Sequence, residues 1–190
     1  MMVLVTGGSK SGKSTYGENL ITEMRAQVSP KLEPKIYYIA TMEPFGSEDF
    51  QVIKRHRIAR EGKGFITIEK FRNIHEVEVE ADSMVLLECV GNLVANEMFS
   101  MESTEELTGK TSSEECRQNV IDRVISGIKK LKDSCSELVV ITNQVCSDTG
   151  NYPEETREYI RQMGLVNQEL SRIAERVVET VYGIPIEIKK

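Results

Sequence analysis

"VLVTGGSKSGKST", residues 3–15, decides the fold of this chain. Three apolar residues come first, and a short apolar run ahead of glycines is typical of a buried parallel strand. The stretch that follows has the spacing G-x-x-x-x-G-K-[ST], formed by Gly7, Gly12, Lys13 and Ser14. Between a strand and a helix, this spacing indicates a phosphate-binding P-loop. The alternative interpretation is a tight glycine-rich turn that binds nothing.

The chemistry of the loop predicts a nucleotide site. Glycines let the backbone approach phosphates closely, so that successive N–H groups and the helix N-terminus face the anion. Lys13 is expected to reach the β- and γ-phosphates, and the Ser14 hydroxyl is expected to bind Mg²⁺. A dinucleotide fingerprint fits less well, because Gly7, Gly8 and Gly12 do not form G-x-G-x-x-G.

Predicted strands and helices alternate along the chain. Short apolar runs predict strands at residues 3–5, 36–39, 65–68, 84–87 and 138–141. Helical patterns cover residues 13–26, 48–60, 92–101, 113–133 and 154–175. Residues 101–115 are predicted to be a polar loop, and residues 177–188, interrupted by Gly183 and Pro185, to close the sheet as an antiparallel edge. We therefore predict an α/β fold of the three-layer P-loop NTPase (RecA-like) type, with a mostly parallel sheet and residues 1–190 in one domain.

Composition excludes several classes of partner. The chain has 190 residues, of which 39% are hydrophobic and 28% charged, which is enough for one sizeable core. Its net charge of −6 disfavours nucleic acid or an anionic membrane as the main partner. No apolar stretch reaches the roughly 18 residues of a membrane span, and the start "MMVLV" has no basic leader. We expect a cytoplasmic protein. Its four cysteines form no C-x-x-C pair, so they suggest neither a zinc site nor a disulfide framework.

One carboxylate is predicted at the sheet edge that binds ligands. "MVLLE", residues 84–88, places Glu88 at the carboxyl end of a predicted central strand. There it can hold Mg²⁺ or accept hydrogen bonds from a base, or it can simply begin a loop. The later run "VVITNQV", residues 139–145, is not the N-K-x-D guanine motif, so the pattern selects no base.

His56 is the candidate nucleophile. The chain has two histidines, and His56 lies in "IKRHRIAR", residues 53–60. At helical spacing it shares an apolar arc, which is equally typical of a structural histidine. Arg57 is adjacent and Arg60 follows at i+4, so a phosphate brought to the imidazole would meet guanidinium partners. An imidazole can act as a covalent nucleophile, although the same charges could form a solvated helix face. His75 has no such neighbours and is interpreted as structural.

These segments together resemble a known enzyme family. The sequence resembles the bifunctional adenosylcobinamide kinase / adenosylcobinamide-phosphate guanylyltransferases of cobalamin nucleotide-loop assembly, nearly from end to end. The first matching segment is generic to P-loop proteins. The His-Arg-x-x-Arg helix, the strand that ends in Leu-Leu-acid-Cys and the arginine-rich segment that runs into Gly-x-x-Asn-Gln are together much more specific. All the matching segments are "LVTGGSKSGKS" (4–14), "YIAT" (38–41), "IKRHRIAR" (53–60), "FITIE" (65–69), "VLLECVGNLVANEMF" (85–99), "VVITNQV" (139–145), "REYIRQMGLVNQELSRIA" (157–174) and "GIPIEIK" (183–189).

The resemblance implies two reactions at one site. Such an enzyme phosphorylates the aminopropanol hydroxyl of adenosylcobinamide from ATP or GTP. It then attacks the α-phosphate of GTP with a histidine, matched here by His56, and passes the GMP to adenosylcobinamide phosphate, giving adenosylcobinamide-GDP. The family is also homotrimeric, with a neighbouring subunit lining the site. By the same matching, the nucleotide-binding residues are Gly7, Gly8, Ser9, Lys10, Ser11, Gly12, Lys13, Ser14, Ala40, Thr41, Met42, Arg57, Ile58, Ala59, Arg60, Glu69 and Glu88.

The sequence departs from the family pattern in three places, and it also allows two other functions. The family commonly has Asn-Glu-Val-Gly where this chain reads Asn143, Gln144, Val145 and Cys146, and the loss of a carboxylate at 144 removes a possible acid, base or metal partner. Residues 28–35 and 101–115 also look longer than expected. The rivals are a P-loop kinase for a small metabolite, without guanylyl transfer, and a nucleotide-dependent regulatory switch.

Overall fold

The computed structural model describes residues 1–29, 32–44, 46, 51, 53–54, 57–58, 60–105, 113–145 and 150–190. For residues 100–105 and 113–117 the description covers the backbone alone. Two predicted site residues, His56 and Ala59, lie outside the described residues.

Seven strands form one sheet. They are β1 (Met2–Gly7), β2 (Ile36–Ala40), β3 (Phe65–Glu69), β4 (Met84–Glu88), β5 (Glu137–Ile141), β6 (Arg176–Val181) and β7 (Ile184–Lys189). Their spatial order is β3-β2-β4-β5-β1-β6-β7, and every neighbouring pair is parallel except β6 and β7. The predicted α/β fold, with its mostly parallel sheet and antiparallel edge, is therefore confirmed.

The carboxyl-terminal part of the sheet is a hairpin rather than one interrupted strand. Tyr182 and Gly183 both have positive φ angles, 50° and 81°, and turn the chain between β6 and β7. Glycine adopts such a conformation readily. Pro185 lies on β7, the edge strand, where a missing N–H group costs least.

Within the described ranges, four continuous α-helices and a short 3-10 helix pack around the sheet. They are α1 (Lys13–Gln27), α2 (Val90–Glu105), α3 (Ser113–Ser134), α4 (Glu154–Ile173) and the 3-10 helix Ile74–Glu76. Within the predicted helix 48–60, the described residues 51, 53–54, 57–58 and 60 have helical backbone. The predicted loop at 101–115 is wrong at its first end, because α2 continues to residue 105. The predicted start of the next helix at residue 113 is confirmed, because α3 begins there. Polar residues such as Glu and Ser do not by themselves end a helix.

The core has two parts, one on each face of the sheet. The larger part packs apolar side chains of α2, α3 and α4 against one face, and the smaller part packs α1 against the other. Helix α1 approaches closely at Gly17, where an added Cβ would lie 2.6 Å from Cδ1 of Ile141. No helix within the described ranges has the length and apolar character needed to cross a membrane. The carboxyl ends of the parallel strands are left open on one edge, where ligands bind in such sheets.

Candidate active site

The P-loop joins β1 to α1 through a backbone that favours glycine at two positions. Gly7 has φ of 148°, and an added Cβ there would lie 2.5 Å from the carbonyl oxygen of Thr180. Gly12, just before α1, has φ of 96°. Both angles lie in the region that side-chain-bearing residues rarely adopt. The first and last glycines of the motif are therefore required by the loop itself.

The carboxyl-terminal hairpin supports the loop from one side. The Ser11 and Thr180 hydroxyls form a hydrogen bond of 2.8 Å, and the Gly183 N–H donates to the Ser11 carbonyl at 2.9 Å. On the other side, the Gln144 N–H donates to the Gly7 carbonyl at 3.1 Å. These contacts hold the loop in place. Inside it the Ser11 N–H donates to the Gly8 carbonyl at 3.3 Å, and the successive N–H groups of such a loop can bind an anion.

Lys13 is buried at the start of α1. It is 7% exposed, and its ammonium donates to the Gly8 carbonyl at 2.6 Å. Burial lowers the pKa of Lys13, and the negative charge of nearby Glu88 works in the opposite direction. A buried ammonium held by one carbonyl can exchange that partner for a phosphate, which is the role the motif predicts.

Glu88 receives hydrogen bonds from two different elements. The Ser14 hydroxyl donates to its Oε1, and the Tyr38 hydroxyl donates to its Oε2 at 2.8 Å. Burial raises the pKa of Tyr38 above its usual range, so the phenol keeps its proton and acts as the donor. The structure thus brings together Ser14 and Glu88, two hard oxygen donors that stand next to the phosphate loop.

These two residues fit Mg²⁺. Magnesium in kinase sites is held by one or two protein oxygens together with substrate phosphates, rather than by a complete protein cage. Among the described residues no cluster of three or more His, Cys, Asp or Glu side chains could hold a metal by itself. One hydroxyl and one carboxylate at the loop are what a metal–nucleotide complex requires.

Two arginines from the segment around His56 reach the same region. Arg60 is 6% exposed, and its guanidinium carbon lies 3.4 Å from the centroid of the Tyr38 ring. Its Nε and one terminal nitrogen, Nη1, have no hydrogen-bond partner in the described part of the chain. Arg57 is more exposed and forms an ion pair with Glu69.

One cavity of about 950 Å³ joins these groups. Ten predicted site residues line it: Ser9, Lys10, Lys13, Ser14, Ala40, Met42, Arg57, Arg60, Glu69 and Glu88. Lys54 adds a further cation. Among the described lining residues five cationic side chains face two carboxylates, so the cavity carries a local charge of +3 in a chain whose net charge is −6. Such a cavity favours a polyanionic ligand.

Thr41 and Ile58, two other predicted site residues, are not among the described residues that line the cavity. Thr41 is fully buried; its hydroxyl donates to the Cys89 carbonyl and accepts from the Cys89 N–H, both at 2.7 Å. The Thr41 carbonyl accepts from the Asn96 amide at 2.8 Å, and the same amide nitrogen donates to the Phe71 carbonyl at 3.0 Å. Thr41 and Asn96 therefore tie together the ends of β2, β3 and β4. Ile58 is 55% exposed.

Sequence reasoning missed Tyr38 and Asn143, which also line the cavity. Tyr38 had a usable signal, because side chains alternate along a strand and Ala40, two residues on, was already assigned to the site. Asn143 follows β5 at the ligand-binding edge, and its backbone carbonyl accepts from the Asn167 amide at 3.1 Å.

Gln144, where the chain departs from the family pattern, keeps a carboxylate neighbour. Its amide donates to Oε1 of Glu179 on β6 at 2.9 Å. Gln144 also lines the cavity, and Glu179 is not among the described lining residues.

Comparison with solved structures bears on the fold alone. A solved ATPase domain superposes with a TM-score of 0.51 at 10% sequence identity, covering 94% of this chain and 68% of that one. A P-loop ATPase domain is thus a structural neighbour, in agreement with the predicted fold class.

Comparison of sequences bears on the family. Two proteins named bifunctional adenosylcobalamin biosynthesis protein CobU, from Escherichia coli strain K12 and Salmonella typhimurium strain LT2, are each 31% identical over the full length of both chains. The protein CobP of Pseudomonas aeruginosa strain PAO1, with the same description, is 26% identical over all of this chain and 98% of its own. These matches favour the predicted bifunctional family over a small-metabolite kinase. The family model described as cobinamide kinase / cobinamide phosphate guanyltransferase matches residues 3–188, and the chain belongs to that family.

Proposed function

We propose that this protein carries out both reactions of its family on adenosylcobinamide, phosphorylation followed by GMP transfer from GTP. One observation carries the proposal: the P-loop lysine and two arginines that follow His56 in sequence, Arg57 and Arg60, line a single, locally cationic cavity. A plain kinase would need the loop but not the second group of cations. A regulatory switch would need neither a nucleophile nor a second substrate.

In the kinase reaction the P-loop and Lys13 bind the phosphates of ATP or GTP. The aminopropanol hydroxyl of adenosylcobinamide attacks the γ-phosphorus and the bond to the β-phosphate oxygen breaks, while the hydroxyl proton leaves to solvent or a base. Ser14 and Glu88 would hold Mg²⁺, which neutralises charge on the phosphates when it is bound. Catalysis of this kind consists mainly of positioning and electrostatic stabilisation.

In the transfer reaction His56 is the proposed nucleophile. Its neutral imidazole nitrogen attacks the α-phosphorus of GTP, a P–N bond forms, and pyrophosphate leaves as the P–O bond breaks. A phosphate oxygen of adenosylcobinamide phosphate then attacks the same phosphorus, breaks the P–N bond and yields adenosylcobinamide-GDP. Lys54 and Arg57, two and one positions from His56 in sequence, both line the cavity, which supports this role.

The size of the cavity supports sequential use of one nucleotide site. About 950 Å³ suits a nucleotide, since small-molecule sites span roughly 300–1,000 Å³. A corrinoid is far larger, so we propose that only its aminopropanol arm enters and that the ring lies at the mouth. A homotrimer, in which the next subunit covers that mouth, and a cytoplasmic location belong to the same proposal.

The decisive test is a covalent adduct. The protein is incubated with GTP and Mg²⁺ and analysed by intact mass spectrometry, with a gain equal to one GMP expected. The adduct should be labile in acid and stable in base, as a phosphoramidate is. It should disappear in His56→Ala and persist in His75→Ala, a matched control because His75 is the other histidine of the chain and its side chain is 47% exposed. Persistence of the adduct in His56→Ala would refute the assignment of the nucleophile.

A further inference from the structure

Tyr38 contacts both Glu88, which is hydrogen-bonded to the P-loop helix, and Arg60, which lies four positions after His56. It lies on β2 and is 4% exposed. Its hydroxyl donates to Oε2 of Glu88 at 2.8 Å, while Ser14 donates to Oε1. The two oxygens of this carboxylate therefore have different partners, one from the P-loop helix and one from β2.

The Tyr38 ring has a second set of contacts through its face and edge. The guanidinium of Arg60 stacks on the ring at 3.4 Å from its centroid. Phe65 on β3 packs against the ring nearly at right angles, with centroids 6.1 Å apart and planes at 81°. Stacking a cation on an aromatic face is favourable, most of all when both groups are removed from water.

We propose that Tyr38 is a positioning residue, whose hydroxyl orients the Glu88 carboxylate for the metal–nucleotide complex and whose ring holds Arg60 for the transferred phosphate. The inference rests on the proposed function of the same cavity. If Ser14 turns from Glu88 toward a ligand, Oε1 loses its donor, whereas Oε2 keeps the Tyr38 hydroxyl. The orientation of the carboxylate then depends on Tyr38 alone among the donors described here.

Two substitutions separate these contacts. Tyr38→Phe removes the hydroxyl and keeps the ring that contacts Phe65 and Arg60. Tyr38→Leu removes both the hydroxyl and the aromatic face. Tyr37→Phe is the matched control, because Tyr37 is adjacent on β2, packs against the core on the opposite face of the sheet, and loses the same atom.

The first measurement is metal affinity rather than turnover. Mn²⁺ serves as a paramagnetic substitute for Mg²⁺, and the concentration of free Mn²⁺ in the presence of protein and GTP is measured by electron paramagnetic resonance. The affinity for GTP without metal is measured by calorimetry in excess chelator. Tyr38→Phe should weaken Mn²⁺ binding by about tenfold, since a hydrogen bond to a charged group is lost, with metal-free GTP binding unchanged. Tyr37→Phe should match the wild type. Equal Mn²⁺ affinity in Tyr38→Phe and the wild type would overturn the role of the hydroxyl.

The second measurement is the rate of GMP adduct formation at saturating metal. Tyr38→Leu should be slower than Tyr38→Phe, because only the leucine variant releases Arg60; equal rates would overturn the role of the ring. If the wild type forms no adduct yet Tyr38→Phe still loses metal affinity, the proposed transfer reaction fails and the orienting role of the hydroxyl stands. If the wild type forms the adduct and metal affinity does not change, this inference alone fails.

Discussion

Two adjacent glycines of the P-loop are predicted to respond oppositely to the same substitution. An added Cβ at Gly7 would lie 2.5 Å from the Thr180 carbonyl oxygen and 2.7 Å from the Ser11 hydroxyl, on a backbone with φ of 148°. An added Cβ at Gly8 would meet no described atom within 4 Å, and Gly8 is not among the positive-φ glycines. Alanine should therefore strain the folded state at position 7 and not at position 8.

The magnitudes follow from these two environments. A side-chain-bearing residue in a glycine-only region costs about 1–3 kcal/mol, and overpacking against backbone adds about 1–3 kcal/mol. Gly7→Ala should thus lower the free energy of unfolding by at least about 2 kcal/mol, which for a chain of this length lowers Tm by about 4–8 °C. Gly8→Ala should leave the free energy of unfolding unchanged or raise it by about 0.4–1 kcal/mol, because alanine reduces the entropy of the unfolded chain.

Thermal and urea unfolding are followed by far-ultraviolet circular dichroism, since the chain has no tryptophan. GTP binding is measured by calorimetry on the same preparations. Gly8→Ala should fold normally and lose GTP affinity, because the methyl group occupies space that only a phosphate would use. Equal Tm values for the two variants would refute the loop geometry, and full GTP affinity in Gly8→Ala would refute the close approach of phosphate to that residue.

Substitutions at four further positions test other parts of the structure. Lys13→Ala should reduce both phosphorylation and adduct formation by about 100-fold through loss of phosphate positioning; undiminished rates of both in product assays would contradict the P-loop assignment. Glu97→Ala should lower the free energy of unfolding by about 1–3 kcal/mol, because Glu97 is 3% exposed and accepts a hydrogen bond from the Asn73 N–H at 2.6 Å. In urea titrations, Glu97→Gln should retain most of the stability that Glu97→Ala loses. Gly164 lies on α4, and a Cβ added there would meet no described atom within 4 Å, so Gly164→Ala should stabilise the helix by about 1 kcal/mol and raise Tm. Gly127→Ala on α3 should lower Tm, because the added Cβ would lie 2.2 Å from the side chain of Ile74 in the adjoining 3-10 helix.

The strands were predictable from the sequence because their burial is continuous. Met84–Leu87 in β4 and Leu138–Ile141 in β5 are buried on both faces, and such strands appear as unbroken apolar runs. The helix ends were less predictable. Residues 102–105 are polar yet helical, because helix continuation depends on propensity and packing rather than on polarity.

The central contact of the site was not predictable from sequence spacing. Ser14 and Glu88 are 74 positions apart. Ser14 belongs to the helix that follows β1 and Glu88 ends β4, and β5 lies between these two strands. Each residue alone had a motif or strand-end signal, but their meeting depends on the order of the strands in the sheet. The Tyr38–Arg60 stack likewise joins β2 to a helical segment whose packing the apolar pattern does not specify.

Arg57 and Arg60, which both follow His56 in sequence, have different contacts. Arg57 is paired with Glu69, and both side chains are largely exposed, so this ion pair contributes little and can be exchanged at low cost. Arg60 is buried against an aromatic ring, and two of its nitrogens have no hydrogen-bond partner among the described residues. A buried donor without a partner costs free energy. A phosphate bound by Arg60 would remove that cost without breaking an ion pair to any described residue, whereas a phosphate bound by Arg57 would first have to displace Glu69.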